Sequence, residues 1–187
     1  MSTCLTPEVK ANSKNTDTVY RVQITPKAET YAKTKYIAGF GKVILHATYW
    51  LKGNLTVEEA NAIANAILLD PIVEEVSLSY DEASFASTGL SNTLQKAFMP
   101  GVTDNLAHSV REAIQLLFPH LMVEVATGET ILLQPEATTL DFETLKAKLA
   151  YQVYHPLVER LDRLDTSTAF LFPTVLMPPP QQPRSEE

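Results

Sequence analysis

The stretch "FMPGVTDNLAHSVREAIQLLF" (Phe98–Phe118) predicts a tight turn that leads into an amphipathic helix. Pro100 and Gly101 are residue types that turns favour, and either Asp104 or Asn105 can cap the helix that follows. The expected buried stripe recurs at helical spacing and consists of Leu106, Val110, Ala113, Ile114 and Leu117. No side chain in this stretch is an obvious catalytic group. A well-defined turn and helix that carry no reactive side chain suit a structural or docking role.

The region before this stretch predicts three strands and one helix. Val19–Thr25 alternates like a half-buried strand, whereas Val43–Leu51 is apolar on both faces and suits a central strand. Thr56 and Glu59 have the spacing of a capping box, and the helix that they open is ended by Pro71. The pattern after that proline predicts a further strand. The expected buried face of the helix is Ala60, Ile63, Ala64, Ile67 and Leu68.

The pattern then returns in the second half of the chain. A strand is predicted over residues 93–99, and "LMVEVA" (121–126) and "ETILLQ" (129–134) predict two more. Asp141 opens a helix that should continue until Pro156 ends it. The expected apolar positions of that helix are Leu145, Leu149 and Val153. Residues 157–164 predict the last strand.

The two halves are copies of one another. Six residues recur 85 positions later: Leu55, Glu58, Ala62, Pro71, Val73 and Glu74 match Leu140, Glu143, Ala147, Pro156, Val158 and Glu159. Pro26 and Pro100 are only 74 positions apart, so the first copy is shorter. The shortening removes most of the helix that follows Asp104 in the second copy. The remaining segment, "ETYAKTKYIAGFGK" (29–42), is a poor helix because of Gly39 and Gly41.

This repeat predicts an α+β fold, in which two β-α-β-β-α-β-like units form a pseudo-dimer of small antiparallel sheets with helices packed on them. The expected segments are a flexible tail (1–18), a first repeat (19–80), a linker (81–93), a second repeat (94–164) and a proline-rich extended tail (165–187). Because the two repeats cover each other's apolar faces, we expect a monomer.

Composition excludes several classes of protein. The 187 residues carry a formal net charge of −7, which disfavours nucleic acid as a partner. No apolar run approaches the roughly 20 residues of a membrane helix, and the polar N-terminus lacks a signal-peptide core. The single cysteine, Cys4, precludes an internal disulfide and favours a cytoplasmic location.

The reactive side chains of the sequence predict no catalytic, cofactor-binding or metal site. Cys4 lies in the predicted tail without a nearby base. The histidines, which are His46, His108, His120 and His155, lack the spacing of metal ligands. The pairs Glu58-Glu59 and Glu74-Glu75 suit helix capping and a strand edge better than acid–base chemistry. No glycine-rich phosphate loop is present.

Three phrases together resemble the PurS-like region of formylglycinamide ribonucleotide amidotransferase (phosphoribosylformylglycinamidine synthase). They are "MPGVTDNLAHSVREAIQLL" (99–117), "AILLDPIVEEVSL" (66–78) and "YQVYHPLVERLDRL" (151–164). The resemblance covers about Val19 to Leu164. This chain departs from the family in its shortened first repeat and in Tyr154-His155-Pro156, where the family favours leucine and a small polar residue.

The resemblance implies a function in de novo purine biosynthesis. It implies a non-catalytic part that holds a synthetase and a glutaminase together while ammonia passes between them. ATP and magnesium would belong to the synthetase, and no cofactor to this chain. Whether the chain is a separate subunit or the N-terminal region of a fused enzyme stays open. The alternatives are a small-molecule-sensing regulatory domain of paired α+β repeats, or an enzyme whose site has no recognised motif.

For the docking role, the sequence predicts partner contacts on the polar face of the helix after Asp104. Four residues align at spacings of three and four and a fifth lies beside them: Asn105, His108, Glu112 and Gln115, with Arg111. Only the second repeat retains this helix. The competing interpretation is an ordinary solvated helix face.

Overall fold

The computed structural model describes residues 18–38, 40–80, 92–134 and 140–164, together with residue 172. Within these ranges seven strands form one sheet and three α-helices pack on it. The strands are β1 (Thr18–Pro26), β2 (Lys33–Ile37), β3 (Gly41–Gly53), β4 (Glu74–Ser79), β5 (Thr93–Phe98), β6 (Val123–Leu132) and β7 (Glu159–Arg163). The helices are α1 (Val57–Ile63), α2 (Asn105–Leu117) and α3 (Phe142–Leu149), with a 3-10 turn at Glu29–Tyr31. The α+β class is confirmed.

The strands are all antiparallel, in the order β4-β1-β3-β6-β5-β7, with β2 added beside β3. In each half of the sheet the first strand of that half, β1 or β5, lies between the other two. The two small sheets that the sequence predicted are joined, because β3 pairs with β6 from Ile44–Leu132 to Gly53–Val123. This central pairing makes a single open sheet.

The first half of the chain has a hairpin where the second half has α2. Residues 29–42 were predicted to be a poor helix, and they form the 3-10 turn and then β2, which pairs with β3. Gly41 has a φ of 71°, which glycine tolerates without strain. Ile37 and Phe40 from this hairpin are buried. The hairpin therefore covers core that a helix would otherwise cover.

All three helices lie on one face of the sheet. The register places Tyr20 opposite Leu51 and Leu51 opposite Val125, so these three side chains share that face. One core cluster lies under α1 and α2, and it consists of Tyr20, Val22, Ile24, Leu51, Leu55, Ala60, Ile63, Ala64, Leu68, Val110, Ile114, Leu121 and Val123. The other lies under α3, and it consists of Ile37, Phe40, Val43, Leu45, Leu94, Ile131, Leu133, Leu145, Leu149, Val153, Tyr154 and Leu161.

An ionic network lies on the same face as these clusters. Glu129 of β6 forms ion pairs with Lys33 at 2.5 Å and with Lys96 at 2.6 Å, and Lys96 also lies 3.3 Å from Glu159. Burial opposes the charge on Glu129, but the hydrogen bonds and charges of the two lysines outweigh it and lower its pKa. Polar pairing thus joins strands β2, β5, β6 and β7.

The predicted start of α1 is confirmed. Thr56 accepts a hydrogen bond from the Glu59 amide, and the Glu59 carboxylate accepts one from the Thr56 amide. The last turn, Ala64–Leu68, widens into a π-helix, in which the Leu69 amide donates to the Ala64 carbonyl. Ala60, Ile63, Ala64 and Leu68 are buried as predicted, and Ile67 is partly buried.

Two element boundaries were predicted wrongly. "LMVEVA" and "ETILLQ" were expected to be separate strands, but β6 runs through both because β3 pairs with it along its whole length. The helix from Asp141 ends at Leu149 rather than near Pro156. Tyr151 adopts a φ of 61°, which is incompatible with a helix, although Val153 is still buried in the turn that follows.

Several predicted segments lie outside the described residues. These are most of the first tail (1–17), most of the linker (81–91) and, apart from Phe172, the second tail from 165 onward. Cys4 lies outside them as well. Thr18 and Thr93, which were assigned to the first tail and the linker, belong to strands. None of the described helices is long and apolar enough to cross a membrane.

Candidate docking surface

Helix α2 is held to the sheet by its capping residue. Asp104, rather than Asn105, is the N-cap, and its carboxylate accepts a hydrogen bond from the Ala107 amide at 2.8 Å. The same carboxylate accepts from both the amide and the hydroxyl of Thr127 on β6, each at 2.9 Å. The turn before it is as predicted, with Gly101 at a φ of 86°. Asp104 therefore both starts the helix and fixes it to the centre of the sheet.

The buried stripe of α2 differs from the predicted one. Ala107, Val110 and Ile114 are buried, whereas Leu106 and Leu117, which were predicted to be core, are more than half exposed. The bond from Asp104 to Thr127 orients the first turn so that Ala107 faces the sheet. A residue as small as alanine lets the helix approach closely. The result is a narrow buried stripe with leucines on its flank.

The five predicted interface residues are all exposed on α2: Asn105, His108, Arg111, Glu112 and Gln115. Arg111 Nη2 lies 2.8 Å from His108 Nδ1, and His108 Nε2 lies 3.1 Å from Glu112 Oε1. A ring with its proton on Nε2 accepts from Arg111 and donates to Glu112. This chain of contacts holds three of the five side chains in a defined arrangement along the helix.

A groove of about 480 Å³ separates α2 from the strand ends beside it. Four of the five residues line it, together with Lys52 and Gly53 at the end of β3 and Met122, Val123 and Glu124 at the start of β6. Lys52 and Glu124 form an ion pair at 3.5 Å. A Cβ atom on Gly53 would lie 2.5 Å from the Met122 carbonyl oxygen, so glycine is required for the strands to approach here. The groove has charged walls and an open side.

Sequence reasoning missed two apolar side chains at this surface. Leu116 on α2 is 82% exposed and Met122 before β6 is 84% exposed. The signal for Met122 was strand alternation, because the neighbouring Leu121 and Val123 both point into the core. Large exposed apolar groups beside polar ones are typical of a protein interface.

The remaining chemical candidates do not converge. His46 is buried and lies 3.2 Å from Gln23 Nε2, whereas His155 packs edge to face with Tyr151, with ring centres 5.2 Å apart. The Glu74 carboxylate accepts from the Asp70 amide. Among the described residues, no three acidic, histidine or cysteine side chains are placed to hold a metal ion.

The side of the sheet opposite the helices, the second face, carries buried polar residues that the sequence did not single out. By strand alternation they are Arg21, His46, Thr48, Thr93, Gln95 and Thr130. Arg21 donates to the Thr130 hydroxyl at 2.6 Å, which lies 2.7 Å from the Thr48 hydroxyl. Burial lowers the pKa of Arg21 to about 10, and burial together with the Arg21 charge lowers the pKa of His46.

The hydrogen bonding of this second face is incomplete within the described ranges. Arg21 has no carboxylate partner there, and Arg21 Nε, Trp50 Nε1 and Gln95 Nε2 have no acceptor. Buried donors of this kind normally find partners. The second face is therefore an enclosed polar surface rather than a solvated one.

No family model matches this chain, and no curated protein or solved structure matches it either. Its own geometry presents two surfaces: the α2 groove, open to solvent and bordered by charged and apolar side chains, and the enclosed second face. Neither brings together a nucleophile with a base, or a set of phosphate-binding amides, in the residues that the structure describes.

Proposed function

We propose that this chain is a non-catalytic PurS-like docking subunit or domain of phosphoribosylformylglycinamidine synthase, which joins synthetase and glutaminase parts for ammonia transfer. The observation that carries the proposal is the outward face of α2. It follows the turn that resembles the family motif, and it exposes Asn105, His108, Arg111, Glu112 and Gln115 beside an open groove. A rigidly held helix face with charged and apolar side chains suits docking.

The sheet order supports the two-repeat part of this proposal. Strands β1, β3 and β4 in the first half correspond to β5, β6 and β7 in the second. The order is therefore the same when it is followed inward from either edge, and the antiparallel β3–β6 pair lies at the centre. This is the arrangement expected of a pseudo-dimer within one chain, and it is why we propose a monomer.

The proposal assigns the chemistry to the partners. ATP, magnesium and glutamine would be handled by the synthetase and the glutaminase, and this chain would hold no cofactor. The purified chain should then neither hydrolyse glutamine nor cleave ATP. Turnover of either substrate that persists in Cys4→Ser would favour the third interpretation, an enzyme with an unrecognised site.

A charge-reversal experiment tests the docking face. His108→Glu with Arg111→Glu should fold normally but capture less purified synthetase, because misplaced charges in an interface reduce affinity and association rate. The matched control is Ala147→Glu with Lys148→Glu, which makes the same change in formal charge on exposed positions of α3. Equal capture by both folded variants would remove the docking role from α2.

The second candidate function is a small-molecule-sensing domain, which would need a pocket where the two halves meet. The groove at the ends of β3 and β6 lies at that junction, and its volume of about 480 Å³ could admit a metabolite. Native mass spectrometry of the chain purified from its source separates the two functions. A bound metabolite that is lost in Lys52→Glu, with no synthetase recovered, would favour sensing.

A further inference from the structure

Arg21 carries a positive charge on the second face and is only 3% exposed. A buried charge is destabilising unless an opposite charge or well-placed hydrogen bonds compensate for its lost hydration. Burial lowers the pKa of Arg21 only to about 10, so the guanidinium is charged at neutral pH. Arg21 cannot avoid the penalty by losing a proton, and its charge therefore calls for a negative group beside it.

None of the carboxylates in the described strands lies beside Arg21. By strand alternation, the acidic side chains that these strands place on the second face are Glu75, Glu124 and Asp162. Glu124 and Asp162 each form an ion pair with a lysine or arginine on the same face. Glu75 is opposite Thr25, which is four positions along β1 from Arg21 and so about 13 Å away. The strands therefore supply no counter-charge for Arg21.

Three buried N–H donors border this charge without an acceptor in the part of the chain that the structure describes: Arg21 Nε, Trp50 Nε1 and Gln95 Nε2. Trp50 of β3 is directly opposite Arg21 of β1. Arg21 Nη2 extends to 2.6 Å from the Thr130 hydroxyl of β6, and Gln95 of β5 is directly opposite Thr130. The three donors therefore belong to one region of the second face, where they accompany an uncompensated positive charge.

The two halves of the sheet show that strand pairing does not require this arginine. A buried or partly buried glutamine faces a threonine in each half: Gln23–Thr48 in β1–β3 and Gln95–Thr130 in β5–β6. Two positions earlier, β1 has Arg21 where β5 has Thr93. The second half thus forms the same antiparallel pair with a threonine, so packing of the sheet alone does not explain Arg21.

We propose that the second face binds a small oxyanion, a carboxylate or phosphate group, between Arg21, Trp50 and Gln95. The oxyanion accepts hydrogen bonds from the donors that lack acceptors and neutralises the guanidinium, whose donors suit both kinds of group. Because Arg21 and Gln95 are enclosed, the anion is taken up as the chain folds, and it stabilises the folded state. This inference does not depend on the proposed docking of α2.

Urea unfolding and refolding of the full-length chain in sodium chloride, sodium formate or sodium phosphate of equal ionic strength tests the site. An anion that binds only the folded chain raises the ratio of folded to unfolded chain about tenfold for each tenfold rise in its concentration above the dissociation constant. The parent chain should show this rise with formate, with phosphate or with both, and the active salt identifies the kind of group. Arg21→Thr, which places in β1 the residue type of Thr93, should not show it. Phosphate also stabilises proteins generally, and the difference between parent and variant removes that effect.

The matched control is Lys148→Met, which removes one positive charge from an exposed position on α3 and should keep the full response of the parent chain. Equal responses in the parent chain and in folded Arg21→Thr would overturn the proposal. A parent chain that responds to neither formate nor phosphate more than to chloride would also overturn it, and that result does not require the variant to fold.

Trp50 gives a second measurement on the parent chain alone, because it is the only tryptophan. Its indole N–H is one of the three donors, so its emission should differ between chain refolded in chloride and chain refolded in the active oxyanion. Identical emission spectra in the two salts would place any bound anion elsewhere and overturn the assignment to Arg21, Trp50 and Gln95.

Discussion

Asp104→Ala should show whether Asp104 only caps α2 or also holds α2 to the sheet through its hydrogen bonds with Thr127. It removes the bond from the Ala107 amide and both bonds from Thr127, whose amide and hydroxyl then lack an acceptor at a position that is 4% exposed. A lost cap costs about 1 kcal/mol, and a lost hydrogen bond to a charged group costs about 2 kcal/mol. We expect a loss of about 3 kcal/mol, which is a large share of typical domain stability.

Urea unfolding followed by circular dichroism measures this loss. The matched control is Asp141→Ala, because Asp141 caps α3 through bonds to Thr144, within its own first turn. Asp104→Ala should be the more destabilising of the two. In a double-mutant cycle with Thr127→Val, the two losses should be non-additive by about 1 kcal/mol or more. Equal losses of stability in Asp104→Ala and Asp141→Ala, or additive losses in the double-mutant cycle, would refute the hydrogen-bonded link between α2 and β6.

Three further predictions concern the rest of the sheet. The pKa of Glu129 is below its ordinary value of 4.5, so its contribution to stability is complete above that pH and is lost as pH falls through the lowered value. In urea unfolding at neutral pH and at about pH 3, Glu129→Gln should be less stable than the parent chain at neutral pH and should lose less stability on acidification. A loss on acidification equal to that of the parent chain would contradict the ion pairs. Gly128→Ala should cost more than about 2 kcal/mol, because its Cβ would lie 2.0 Å from the Lys96 carbonyl oxygen and 3.0 Å from Trp50. Gly101 has open space around it at a φ of 86°, so Gly101→Ala should cost only backbone strain of about 1 kcal/mol. Equal losses of stability in urea unfolding for the two variants would contradict the close approach at Gly128. Light scattering should give the mass of one chain, 20.7 kDa. A stable mass twice as large would show that the β3–β6 pairing within one chain does not prevent association with a second chain.

Local patterns predicted the elements that depend on short-range physics. The alternation in Val19–Thr25 predicted β1, and the capping box at Thr56 predicted α1, because a strand period and a helix cap are properties of neighbouring residues. The recurrence after 85 positions predicted two repeats, and that interpretation stays a prediction. The candidate interface on α2 was likewise predicted as an exposed helix face, and its five residues are exposed.

Errors occurred where a distant partner decides between local alternatives. The leucines at 106 and 117 fit a helical stripe as well as Ala107 does, and the bond from Asp104 to Thr127, 23 residues away, selects the stripe that is buried. Residues 29–42 lack a strong preference, and pairing with β3 makes part of them a strand. The break that the sequence predicted within β6 disappears because β3 supplies a partner at every position.

The sequence by itself determined the class of the fold, the order of the main elements and the absence of a recognisable reactive motif, because these follow from periodicity, caps and residue types. Only the tertiary structure decided which faces are enclosed. Arg21 and Gln95 have the polarity of surface residues, yet both are buried on the second face, and Leu116 has the character of a core residue, yet it is exposed. Polarity describes what a side chain prefers in isolation. Burial depends on which other part of the chain lies over it, and that is a property of the packed molecule as a whole.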